Sequence, residues 1–187
     1  MVTRTKTFPR TIRIAEDVDT GLKKSAKQER KNINDLTKEI MRKYVEWDYW
    51  IEKIDYIGLS QDGFRSILEA TDDAKLTKAA QEGANQFRGA ILLRSKKVDY
   101  GTLLEWLSLS GKYSGCFEYE HESDGRNFSI TLHHKLGKKW SNYLRDLFLQ
   151  FRDVFGKIPQ IETTENTVTI KSTEPSAGES ARPYNFR

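Results

Sequence analysis

The chain has 187 residues, of which 37% are hydrophobic and 31% charged, with a formal net charge of +4. That length suits one or two small domains with a real core, and no apolar run approaches the roughly 20 residues of a membrane-spanning helix. The single cysteine, Cys116, excludes an internal disulfide and a multi-cysteine zinc site and fits a reducing cytoplasm. The basic start, MVTRTKTFPR, runs into no apolar stretch, so no secretory leader is expected.

The positive charge is concentrated at one end. Residues 1–47 hold 12 Lys and Arg against 7 Asp and Glu, and the remainder holds 19 against 20. Residues 1–14 contain Arg4, Lys6, Arg10 and Arg13 and no acid, the charge pattern of a segment that meets a polyanion. Arg10-Thr11-Ile12-Arg13-Ile14 alternates polar and apolar residues and predicts a short strand. Glu16 and Asp17 suit the first turn of a helix, and Val18, Leu22 and Ala26 continue it at helical spacing over 16–29. Asn32 is placed to cap a second helix over 33–50, whose apolar face is Leu36, Ile40, Met41, Tyr44 and Trp47.

A second unit is expected over 56–172. Tyr56–Leu59 reads as a short strand; 61–70, 73–94 and 100–110 read as helices. A hairpin follows, with its turn at Ser123–Arg126; this turn sets Cys116 opposite His133 and groups Phe117, Tyr119, Phe128, Ile130 and Leu132 on one face. Residues 136–155 predict an amphipathic helix with Trp140, Tyr143, Leu144, Leu147, Phe148, Phe151 and Phe155 inward, and Thr163–Thr173 predicts the last strand. Residues 173–187 are polar and rich in Pro, Gly and Ser, which predicts a disordered tail. The expected fold class is therefore α+β, with a small, mainly antiparallel sheet and helices on one face.

Five residues of strand and two helices make a thin core, so the first unit, residues 1–50, needs a partner; a second copy of the chain supplies one by symmetry. Arg10-Thr11-Ile12-Arg13-Ile14, Ala26 and Asn32-Ile33-Asn34 together resemble the ribbon-helix-helix family of Arc, MetJ and CopG type. The resemblance implies an intertwined β-α-α homodimer whose two-stranded ribbon enters the major groove of double-stranded DNA. It implies base contacts from Thr11, Arg13 and Pro9, although Pro9 has no hydrogen-bonding side chain. It implies phosphate contacts from the start of the second helix, Asn32, Ile33 and Asn34; Arg4, Lys6 and Arg10 would add nonspecific ones. Nickel-responsive members of the family carry a His- and Cys-rich metal domain, whose ligand spacing is absent here. Cys116 and His133 can meet, but no third ligand joins them, so no metal and no cofactor is expected.

The string from His134 to Leu144 (HKLGKKWSNYL) is similar to a domain of archaeal ribbon-helix-helix proteins. It sits where a strand gives way to a helix. His134, Gly137 and Lys138 are candidates for an anion or small-ligand site; the structural reading is a tight turn, a core tryptophan and solvated lysines. No catalytic triad, phosphate loop or carboxylate pair stands out, so no enzyme is expected. The sequence reading is thus a cytoplasmic, homodimeric transcriptional regulator, with higher-order assembly open. The alternatives are an antitoxin-like protein that binds DNA and a protein partner, or a dimeric scaffold without a DNA role.

Overall fold

The computed structural model describes residues 6–173. The chain divides into two compact units, Met1–Val45 and Glu46–Arg187.

The first unit contains two helices, α1 (Glu16–Gln28) and α2 (Ile33–Lys43). Ala15, extended at φ −67° and ψ 152°, leads into α1, whose first turn carries Glu16, Asp17 and Asp19 against the positive end of the dipole. Asn32 caps α2 as its position predicts, its side-chain oxygen accepting the Asp35 N–H at 2.8 Å. The strand expected at residues 10–14 is not formed: all strands of the described chain lie between Gln160 and Thr173 or between Glu118 and His133. The β-α-α start is thereby corrected, and with it the ribbon-helix-helix fold class. The physical reason is that a strand exists only through a hydrogen-bonded neighbour, and Arg10–Ile14 has none. The segment is irregular and exposed throughout.

Helical backbone continues past Lys43 as a π-helical turn at Tyr44–Asp48, a single α turn α3 (Tyr49–Ile51) and a 3₁₀ turn at Glu52–Ile54. It stops at Asp55, which takes a left-handed φ of 51°. Tyr56–Leu59, expected as a strand, pairs with nothing among the described residues and leaves Ile57 76% exposed. Trp47 is buried in the core of the second unit against Trp106, ring centroids 5.4 Å apart and tilted by 32°.

Three helices follow: α4 (Gln61–Ala70), α5 (Asp73–Ser95) and α6 (Tyr100–Tyr113). Ser60, Asp72 and Asp99 cap them through side-chain oxygens, Asp99 in a reciprocal capping box with Thr102. Gly83 and Gly89 do not interrupt α5. Gly83 is required by packing, since a Cβ there would lie 2.2 Å from the Tyr143 hydroxyl.

The sheet has strand order β1-β2-β4-β3 and is antiparallel throughout, with β1 (Glu118–Ser123), β2 (Asn127–His133), β3 (Gln160–Thr163) and β4 (Thr167–Thr173). Burial alternates along the two central strands: Phe128, Ile130 and Leu132 on β2 and Val168 and Ile170 on β4 are inward, so one face is covered. Helix α7 (Gly137–Leu149) packs on β3 and β4 and also against α5. Together with Phe151, Val154 and Phe155 it supplies much of the core. The β1–β2 register differs from the expected one by two residues: His133 faces Glu118, not Cys116. Residues 174–187, which include nearly all of the expected disordered tail, lie outside the described residues.

Candidate functional site

The N-terminal segment combines three features that follow from its residues. Lys6, Arg10 and Arg13 are exposed. Lys6 lies over the Phe8 ring, 5.1 Å from its centroid, and neither Arg10 nor Arg13 forms an ion pair among the described residues. Pro9 and Thr11 are exposed beside them. Arg4 lies outside the described residues.

The start of α2 has a different character from the one the family resemblance implies. Asn32, Ile33 and Asn34 do open the helix. However, the Asn32 side chain is occupied, its oxygen by the Asp35 N–H and its amide by the Asp35 carboxylate. Lys38, 3.0 Å away, and Asn32 together hold the Asp35 carboxyl below the usual carboxylate range. A carboxylate already sits where a phosphate would be drawn by the helix dipole. Lys31 is similarly paired, with Glu39 at 2.6 Å and Glu29 at 3.0 Å, which raises its pKa.

The apolar residues of the first unit are the part that sequence reading assigned inward and the single chain leaves outward. Among its described residues only Ala26 and Leu36 are buried. Ile12 is 56% exposed and Ile14, Val18, Ile40, Met41, Tyr44 and Val45 are exposed as well. Ile33, Leu36 and Ile40 recur three or four residues apart on α2, and of these Ile40 is exposed, as is Met41 beside it.

In the second unit, the His134 string resolves into a tie between two turns. His134 is buried, and its Nδ1 accepts the Leu136 N–H at 3.2 Å. The proton therefore resides on Nε2, which donates to Ser141 Oγ at 2.9 Å. Ser141 passes its own hydrogen to the Glu165 carbonyl at 3.3 Å. Burial lowers the His134 pKa to about 4, so the ring is neutral at pH 7. Gly137 takes φ +80°, which the turn into α7 requires, and its N–H bonds Asn166 Oδ1 at 3.2 Å. Lys138 reaches the Thr163 carbonyl and hydroxyl, both at 2.9 Å, and Lys139 the Glu69 carbonyl at 3.0 Å. His134, Ser141, Gly137 and Lys138 thus join the β2–α7 turn to the β3–β4 turn, while Lys139 ties the start of α7 to the end of α4.

Among the described residues, no group of three or more His, Cys, Asp or Glu is placed to hold a metal ion. His133 lies 3.5 Å from Glu120, and His121 bonds the Tyr100 hydroxyl at 3.1 Å. No helix among them is long and apolar enough to cross a membrane. The chain matches no protein-family model, and comparison with curated proteins and with solved structures returns no match.

Proposed function

We propose that this chain is a DNA-binding regulator that acts as a homodimer, with the basic N-terminal segment as its DNA-facing surface. The observation that carries the reading is the coincidence, on one small unit, of exposed cations at Lys6, Arg10 and Arg13, which pair with no acid among the described residues, with exposed apolar side chains at Ile40 and Met41 on α2. These side chains support a second copy as partner, because exposed apolar side chains grouped on one helix face suit an interface. The cations support a polyanion, and duplex DNA offers one negative charge per roughly 1.7 Å of its length. Arg13 and Thr11 are the candidates for base contacts, with Pro9 able to offer only apolar contact to a thymine methyl group; Lys6, Arg10 and Arg4 are assigned to phosphates. The carboxylate of Asp35 argues against a phosphate at the start of α2. The single cysteine supports a reducing, cytoplasmic setting.

The test is binding to random and genomic duplexes across a salt series. Affinity for random duplex falls steeply with salt, with a log–log slope of roughly −0.9 per phosphate neutralised. Arg13→Ala lowers binding to a selected site by about 1–3 kcal/mol while leaving random binding and dimerisation nearly intact. A dimer that binds no duplex even at low salt overturns the reading and leaves the scaffold alternative.

A further inference from the structure

The turn that ends α1 breaks two local rules, and cations are involved in both. The Lys31 N–H reaches back to the Ala26 carbonyl at 2.9 Å and the Arg30 N–H to that of Lys27 at 3.3 Å, the paired bonds of a Schellman motif. Such a motif holds one residue in the left-handed region, where glycine fits without strain. Here that residue is Arg30, at φ 54°. Along the helix before it, Lys27 lies three residues from Lys24 and four from Lys23, spacings at which like charges repel. Ion pairs do not absorb the excess. Asp19 is taken by Lys23 at 2.5 Å and Glu29 by Lys31 at 3.0 Å. Lys24, Lys27 and Arg30 are exposed and pair with no acid among the described residues. The negative end of the helix dipole favours Lys27, which stands in the last turn. It accounts neither for Lys24, before that turn, nor for an arginine in a left-handed backbone. A residue kept against local preference without internal compensation marks a functional position.

We propose that Lys24, Lys27 and Arg30 contact the phosphate backbone of duplex DNA, in addition to the N-terminal segment. The inference rests on the DNA-binding reading and extends it to the end of α1. The chemistry of the cluster selects the ligand. An exposed cation holds a single anion only weakly, so solvent-facing cations of this kind gain most from a ligand whose charges repeat, as phosphates do along a duplex. The Arg30 guanidinium can take two phosphate oxygens at once, and the lysines act as point charges. The contact is made by side chains, since the Asn32 cap and the Asp35 carboxylate occupy the start of α2. Backbone contacts position a protein on the duplex and read no sequence, which separates this cluster from Thr11 and Arg13.

The experiment measures binding of the full chain to random duplex DNA across a salt series, together with helix melting by circular dichroism. Arg30→Gly makes the log–log slope shallower by roughly 0.9, the share of one phosphate. The same change raises the melting midpoint of the first unit, because glycine takes the left-handed turn without strain. Weaker binding with a firmer fold is a pair of shifts that a purely structural residue does not give. Lys24→Gln combined with Lys27→Gln makes the slope shallower by roughly 1.8. Lys78→Gln on α5, equally exposed, removes the same charge as Arg30→Gly and leaves the slope unchanged. Vesicles rich in phosphatidylserine form the second arm: variants that lose vesicle binding and keep the parent's duplex slope assign the cluster to a lipid surface and overturn the proposal. A duplex slope that is the same in the parent, in Arg30→Gly and in the double lysine variant overturns this contact and leaves the DNA reading standing. No duplex binding by the parent at low salt overturns the DNA reading itself, and this contact with it.

Discussion

His134 is held as a neutral imidazole by two bonds that use both ring nitrogens, one accepting from Leu136 and one donating to Ser141. Protonation would remove the acceptor at Nδ1 and place a charge in a buried site. The folded chain therefore binds this proton less tightly than the unfolded chain, with a pKa of about 4 against 6.5. Stability from this group is complete above pH 6.5 and is lost as the pH falls through that window toward 4. Urea melts at pH 7 and pH 5 should differ by about 2 kcal/mol, with the lower pH less stable. In His134→Gln the difference disappears although the variant is less stable at pH 7. An unchanged pH slope in the variant would show that another group carries it. The sequence marked this histidine by its string, but the choice between ligand site and turn lock depends on Ser141, Asn166 and Glu165, contacts no spacing rule predicts.

The elements show where patterning suffices and where tertiary contacts override it. The hairpin was legible: Asp124 accepts the Arg126 and Asn127 N–H groups at 2.9 and 2.7 Å, and Gly125 takes φ +83°. The two-residue error in register kept Tyr119, Phe128, Ile130 and Leu132 on one face, because side chains alternate with period two; Cys116, expected on the other face beside His133, precedes β1 and packs against the core. Strand β3 was missed because the Thr164–Thr167 turn, closed by a 2.9 Å bond, uses neither glycine nor proline and needs no positive φ. The helix expected to reach residue 155 ends at Leu149, where the Gln150 and Phe151 N–H groups turn to the Leu147 and Phe148 carbonyls three residues back, at 3.1 and 3.0 Å. Arg88 on α5, buried, donates to the Gln150 carbonyl just past this end at 2.6 Å. The Val154 N–H likewise bonds the Phe151 carbonyl, at 2.9 Å. The guanidinium also pairs with Asp153 in bidentate fashion and lies 4.3 Å from the Phe151 ring centroid. Asp153 is about half exposed, so solvent screens part of the pair. Asp153→Ala leaves the buried cation short of a partner and should cost about 1–3 kcal/mol in a denaturant melt. Arg88→Met, which removes the charge and keeps much of the stem, should cost less than removing Asp153 if desolvation of a buried cation that has lost its carboxylate dominates.

At the scale of the whole molecule the two units differ in how they are held. The second buries a continuous cluster of aromatic and aliphatic side chains from its helices and sheet. Among its described residues the first, taken as a single copy, buries only Ala26 and Leu36. Its helices have 13 and 11 residues, lengths at which a helix in water depends on packing of its apolar face rather than on propensity. Charge, caps and helix positions were legible there because they are local; the missing strand ladder was not, because it depends on a neighbour the sequence of one chain does not supply. If a second copy covers Ile40 and Met41 on α2, the melting of this unit must depend on protein concentration, and sedimentation must show a dimer at micromolar concentration. Ile40→Glu, an exposed position in one chain, should then weaken the dimer by about 3 kcal/mol, roughly a hundredfold in dissociation constant, since the change enters twice. The same substitution should leave the melting of the second unit unchanged. A monomer whose first unit stays helical at all concentrations, with or without Ile40→Glu, would mean that these side chains are solvated and that homodimerisation does not occur through them.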